Sequence, residues 1–176
     1  LSADVNADGA PELLVLEREA PGGMGRAAVT IHGGTDLRRI ATLALPRRMN
    51  PAAFAAGDLD DDGFADVVVV SGGDGLGGPV PDALVVLRNA GAGVGQRPRF
   101  GAEHYPGTPG ADVALGGFDA DSLALDVAVL ASEADGAAPY VRLNDGTGLF
   151  GDERWAPGAG LLLAIDAGDL NGDGSA

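Results

Sequence analysis

The sequence has no cysteine. Disulfides, thiolate metal sites, iron–sulfur clusters and a cysteine nucleophile are thereby excluded. Lysine is also absent: all 11 basic residues are arginine, set against 26 acids, for a net charge of −15. A duplex-binding protein needs a basic face. None is visible, so nucleic acid is not an expected partner. Aromatic residues make up only 5% of the chain, and histidine occurs twice. No apolar run approaches the ~20 residues that cross a bilayer as a helix. Leu1-Ser2-Ala3-Asp4 lacks the basic-then-apolar order of a signal peptide, so none is expected within these residues.

What is present is glycine (30 residues), much alanine, and a hydrophobic share of 45%. That share excludes a disordered tail. The glycines are scattered without the Gly-X-Y period of collagen. A chain of 176 residues can bury a core of ordinary size.

One pattern recurs along the chain. Asp58-Leu59-Asp60-Asp61-Asp62-Gly63-Phe64-Ala65-Asp66 leads into Val67-Val68-Val69-Val70, and Asp4-Val5-Asn6-Ala7-Asp8-Gly9-Ala10-Pro11-Glu12 leads into Leu13-Leu14-Val15-Leu16. Both have an acid or amide at positions 1, 3 and 5, glycine at 6, an acid at 9, then an apolar run. Asp169-Leu170-Asn171-Gly172-Asp173-Gly174 repeats the pattern and stops before its ninth position, while Gly117-Phe118-Asp119-Ala120-Asp121-Ser122 is a degenerate copy reaching Asp126 with one residue inserted. The starts at 4, 58, 117 and 169 are separated by 54, 59 and 52 residues. Ala56-Gly57-Asp58-Leu59 also recurs as Ala167-Gly168-Asp169-Leu170, and Arg88-Asn89-Ala90-Gly91 as Leu143-Asn144-Asp145-Gly146. Residues 1–176 therefore read as a single repeat region.

Each unit reads as four short strands. In the second, the expected runs are Ala52–Gly57, Asp66–Val70, Ala83–Leu87 and Arg99–Tyr105. The valine run has no polar alternation, as expected of a strand covered on both faces. No 3.6-residue period occurs. The fold expected is all-β: about three four-stranded repeats of ~50–60 residues, stacked as β-propeller blades. Three blades are fewer than the four to eight of a closed ring. Further repeats in a longer chain, or self-association of copies, are therefore expected to cover the open blade faces.

Side-chain oxygens at positions 1, 3 and 5 would gather on one side of a tight turn. Glycine at 6 permits the bend, the carbonyl at 7 can point inward, and the acid at 9 closes the shell. Such a set is all hard oxygen. Calcium takes six to eight oxygens and tolerates irregular geometry, whereas magnesium demands a rigid octahedron. An EF-hand needs an acid at position 12 and a following helix. Position 12 is Val69 in one loop and Val15 in the other, both inside strand-like runs.

With these residues in view, the chain resembles the FG-GAP repeats of integrin α-subunit propellers and the related bacterial VCBS repeats. Leu143-Asn144-Asp145-Gly146-Thr147-Gly148-Leu149-Phe150 is similar to the turn before their outer strand. The resemblance implies propeller blades with calcium in the loop between the first two strands of each. It implies roles in adhesion, ligand binding or scaffolding, mostly outside the cytoplasm. Asp58, Asp60, Asp62 and Asp66, with the carbonyl of Phe64, match the family's ligand pattern. Asp4, Asn6, Asp8 and Glu12, with the carbonyl of Ala10, match it with two replacements, and neutral Asn6 should weaken that site. Asp169, Asn171 and Asp173 match as far as they go. The loop at 117–126, with Gly117 at position 1 and Ser122 in place of glycine, is expected to hold calcium poorly or not at all.

The expected function is a non-catalytic, calcium-binding module for interaction with a protein or a carbohydrate, in an extracellular, cell-surface or periplasmic setting. A calcium-dependent lectin is the alternative, as is the propeller portion of a secreted lyase or hydrolase whose active site lies elsewhere. His32 and His104 occupy non-equivalent repeat positions and read as surface residues. No Gly-x-Ser-x-Gly elbow occurs. Tyr105 and Trp155 read as packing between blades, with ligand stacking as the competing role. The all-arginine, alanine- and glycine-rich composition suggests a bacterial source.

Overall fold

The computed structural model describes residues 1–18, 26–33, 36–73, 78–91, 97–119, 124–131, 138–157 and 163–168. Every regular element among them is a strand. The first sheet contains β1 (Ser2–Ala3), β2 (Glu12–Glu17), β3 (Ala28–Gly33) and β4 (Arg38–Ala44). The second contains β5 (Pro51–Gly57), β6 (Asp66–Ser71), β7 (Val80–Asn89) and β8 (Phe100–Gly107). The third contains β9 (Gly110–Gly116), β10 (Asp126–Ala131), β11 (Pro139–Arg142) and β12 (Arg154–Trp155). Each sheet is a four-stranded meander in chain order, and every neighbouring pair is antiparallel. These are propeller-blade sheets, one for each repeat. Among the described residues no helix is long and apolar enough to cross a membrane.

The sheets stack through two apolar layers. Val5, Leu14, Val29, Ile31 and Leu45 of the first unit pack with Val67, Val69, Val85 and Leu87 of the second. Val68, Val70, Leu84 and Val86 of the second pack with Val113, Val127, Val129 and Tyr140 of the third. Side chains alternate across a strand, so the odd valines of β6 face one neighbour and the even ones face the other. That explains the unbroken valine run: all four are 0% exposed. Fully burying one such side chain is worth about 1.5–3 kcal/mol. β2 differs. Leu14 is buried, but Leu13 and Val15 on its other face are 38% and 37% exposed.

Tyr105 of β8 lies between blades as expected, meeting Phe150 of the third unit edge-on at 5.7 Å. Trp155 does not. It leans on Tyr140 of its own sheet at 5.1 Å and stays 45% exposed. Its strand is two residues long, and the register sets Trp155 directly opposite Tyr140.

Candidate metal loops

The acidic segments connect the first and second strands of the first two sheets, and the degenerate 117–125 segment does the same in the third. Asp169, Asn171 and Asp173 lie outside the described residues, as do Asp121 and Ser122.

The first two loops share one backbone course. Position 4 has positive φ in each (Ala7 54°, Asp61 58°), and so does the glycine at position 6 (Gly9 86°, Gly63 85°). A side chain at such a φ is strained, which accounts for the glycine. The aspartate at position 1 holds the turn. Asp4 Oδ2 accepts the Gly9 N–H at 2.8 Å and Oδ1 accepts the Asp8 N–H at 3.3 Å. Asp58 does likewise, with Gly63 at 2.8 Å and Asp62 at 3.2 Å. The aspartate at position 5 accepts the next N–H but one: Asp8 from Ala10 and Asp62 from Phe64, each at 2.9 Å. These bonds turn the carboxylates toward the inside of the loop.

Asp58, Asp60 and Asp62 each bring a carboxylate oxygen into a group whose members lie within 4.8 Å of one another. Among the described residues this is the only such group of three acids or histidines. Asp60 Oδ1 is buried and has no hydrogen-bond partner. Burial, with the neighbouring Asp62, raises the Asp60 carboxyl above the usual range, and Arg88 partly offsets this. Three carboxylates without nitrogen or sulfur, one carrying an orphaned buried oxygen, suit a hard cation. In the first loop Asn6 takes the middle place. Its amide Nδ2 donates to Glu12 Oε1 at 3.0 Å, so one acid is engaged internally.

The acid at position 9 sits deeper. Asp66 is fully buried. Its Oδ2 accepts the Leu59 N–H at 3.3 Å and Arg88 Nη1 at 2.8 Å; its Oδ1 accepts the Asn89 N–H at 2.7 Å. Burial pushes this carboxyl up to about 6, against the pull of the Asn89 N–H and Arg88. The same bond to position 2 recurs in the other units, Glu12 Oε2 from Val5 N at 3.1 Å and Asp126 Oδ2 from Phe118 N at 2.7 Å. Burial also raises the Glu12 carboxyl. Arg88 joins Asp66 to Asp60, 3.7 Å away, and to Glu103 at 3.4 Å, and donates to the Gly148 carbonyl of the third unit.

Two residues that pattern-reading left without a role tie the loops together. Asn89 Nδ2 donates to the Val5 carbonyl at 2.8 Å, 84 residues away, and to Ala65 at 3.2 Å. Asn144 Nδ2 donates to the Leu59 carbonyl at 2.7 Å, 85 residues away, and to Leu125 at 3.1 Å. Position 2 of the first two loops is thus held twice: its N–H by its own blade's acid, its carbonyl by the next blade's asparagine. The recurring Asn-x-Gly was the available signal. Both histidines have local partners, His32 with Leu37 and Thr30, and His104 with Asp82 at 2.8 Å.

The fold and loops define a class: stacked four-stranded blades, each with a polar loop between its first two strands. Residues 4–69, from the first acidic loop into β6, match the family model described as an FG-GAP-like repeat. That stretch is similar to the repeats of this family. No curated protein matches the chain.

Proposed function

We propose that the chain is a non-catalytic, calcium-binding propeller module of an extracellular, cell-surface or periplasmic protein, serving interaction with a protein or glycan partner. The observation that carries this reading is the convergence of Asp58, Asp60 and Asp62. The carbonyl of Phe64 and water would complete a shell of six to eight oxygens. Asp66 would stand behind the ion, linked to Asp60 through Arg88. The first loop would bind more weakly, because Asn6 supplies no charge.

The ion's contribution would be to folding. Clustered carboxylates repel one another, and a divalent cation bound only by the folded loop stabilises it by mass action. At ten times the dissociation constant one site supplies about 1.4 kcal/mol. For a chain of this length that raises Tm by about 4 °C. Extracellular calcium modules bind at ~10⁻⁴–10⁻³ M, so the blades would stay stapled in calcium-rich surroundings and loosen elsewhere.

The test is thermal unfolding with calcium, with magnesium and with chelator. Calcium should raise Tm, magnesium should do so far less, and Asp58→Ala with Asp62→Ala should remove most of the shift, leaving the smaller share of the first loop. Equal Tm values in calcium and chelator would remove the calcium part of this reading.

A further inference from the structure

A second polar and aromatic concavity lies well along the chain from the acidic loops, between the outer strands of the second and third sheets. Tyr105 and Gly107 of β8 form one wall; Arg142, Phe150, Asp152, Glu153 and Trp155 form the other. The cleft is shallow and open to solvent, with about 620 Å³ of space, a size that admits a small ligand.

Its floor is fixed. The Arg142 side chain is only 7% exposed. Its Nη1 donates to the Gly151 carbonyl at 2.9 Å, and its Nη2 to Pro106 at 2.7 Å and to Glu153 Oε1 at 3.2 Å. Glu153 in turn accepts the Thr108 N–H at 2.7 Å and the Thr108 hydroxyl at 3.0 Å. A Cβ at Gly107 would meet the ends of Glu153 and Arg142 and displace them from this network. Above this floor stand Asp152, exposed, and Trp155, 45% exposed, with its indole resting on Tyr140.

The chemistry narrows the ligand. Two carboxylates in a chain of net charge −15 disfavour an anion. A quaternary ammonium wants several aromatic faces. Here the face of Tyr105 already carries the Arg142 guanidinium, 5.9 Å from its centroid, and Phe150 is buried. Trp155 alone offers a face. One aromatic face beside carboxylate acceptors suits a pyranose ring, whose C–H side is apolar and whose hydroxyls donate.

We propose that this cleft binds a neutral pyranose of a glycan, with Trp155 stacked on the ring and Asp152 accepting hydrogen bonds from its hydroxyls. Arg142 and Glu153 are positioning residues that hold the walls. The proposal rests on the reading of the chain as a non-catalytic binding module and names where a glycan would sit. It needs no calcium in the cleft.

Trp155 is the only tryptophan, so its fluorescence reports the site directly. The probes are the methyl glycosides of glucose, galactose, mannose and N-acetylglucosamine, with cellobiose; choline and glucuronate are the cationic and anionic counter-probes. A saturable change is expected with at least one neutral probe and with neither counter-probe. By saturation-transfer NMR, Trp155→Ala should weaken that binding at least about tenfold and Asp152→Asn severalfold, while both variants unfold as the parent does. A response to none of the neutral probes overturns the proposal. So does a response to choline or glucuronate instead, or neutral-probe binding that Asp152→Asn and Trp155→Ala leave unchanged. Each titration is run in calcium and in chelator beside the Tm measurement. Glycoside binding without a calcium-dependent Tm shift would sink the calcium reading alone, and the reverse result would sink this one alone.

Discussion

Replacing Asn89 by alanine should loosen the first blade from the second. The Asn89 side chain is fully buried and makes three hydrogen bonds. Its Nδ2 donates to Val5 and Ala65, and its Oδ1 accepts the Gly91 N–H at 3.1 Å. Alanine leaves the buried Val5 carbonyl and the buried Gly91 N–H without partners, while the half-buried Ala65 carbonyl can turn to water. Each orphaned buried group costs about 1–3 kcal/mol, so the loss should be about 3 kcal/mol. That is a large part of the 5–15 kcal/mol of a typical domain. Urea unfolding followed by far-UV circular dichroism measures it. With a slope of about 2 kcal/mol/M, the midpoint should fall by about 1.5 M. Asn89→Asp should cost at least as much at neutral pH, because it sets a carboxylate against two carbonyl oxygens beside Asp66. Asn144→Ala repeats the experiment between the second and third blades, where the amide also accepts the Gly146 and Gly148 N–H groups. A midpoint for Asn89→Ala within about 0.25 M of the parent, equivalent to about 0.5 kcal/mol, would refute the view that these asparagines clasp the blades.

Other outcomes follow from the same bonds. Arg88→Ala leaves the fully buried Asp66 without its cation and should cost about 3 kcal/mol. Arg88→Lys should recover only part of this, since a point charge cannot reach Asp66, Glu103 and the Gly148 carbonyl together; full recovery would contradict it. In chelator, the Asp66 carboxyl, raised to about 6, binds its proton more tightly in the folded chain than in the unfolded one, where its value is ~3.9. Its contribution to stability is therefore full below about pH 4 and lost as pH rises through about 6. Asp60 and Glu12, raised by burial in the same direction, add to the loss. Asp66→Asn should flatten the fall between pH 4 and 6 relative to the parent, and an unchanged slope would count against the burial effect. Where calcium is present, its stabilising effect should grow over the same interval, because the ion needs the ionised carboxylates.

The blades were legible because their signals are local and repeated. An unbroken valine run at 67–70 marks a strand with two covered faces, and the acidic loop with its glycine at position 6 marks the turn before it. Strand ends moved by only a few residues, as with β7, which extends from Val80 to Asn89 around the expected Ala83–Leu87. What was hidden is long-range. Nothing in Asn89-Ala90-Gly91 says that the amide reaches a carbonyl 84 residues away. Arg88 has no counterpart in the repeats: the strand registers place Gly33 and Leu143 at the equivalent positions, so repetition could not point to it. The spacing reads the acid at position 9 as the residue that closes the ligand shell. Its three hydrogen bonds to Leu59, Asn89 and Arg88 appear only once β6 and β7 are paired. Trp155 was misread because sequence does not reveal its cross-strand register opposite Tyr140, which seats the indole on a ring of its own sheet.

The most direct measurement is a crystal structure of this chain grown in saturating calcium. Ion density within ~2.3–2.6 Å of oxygens from Asp58, Asp60 and Asp62, with a weaker or absent peak at Asp4 and Asp8, is the expected result. A second loop that keeps its present course yet holds only water at saturating calcium would contradict the calcium-stapled module.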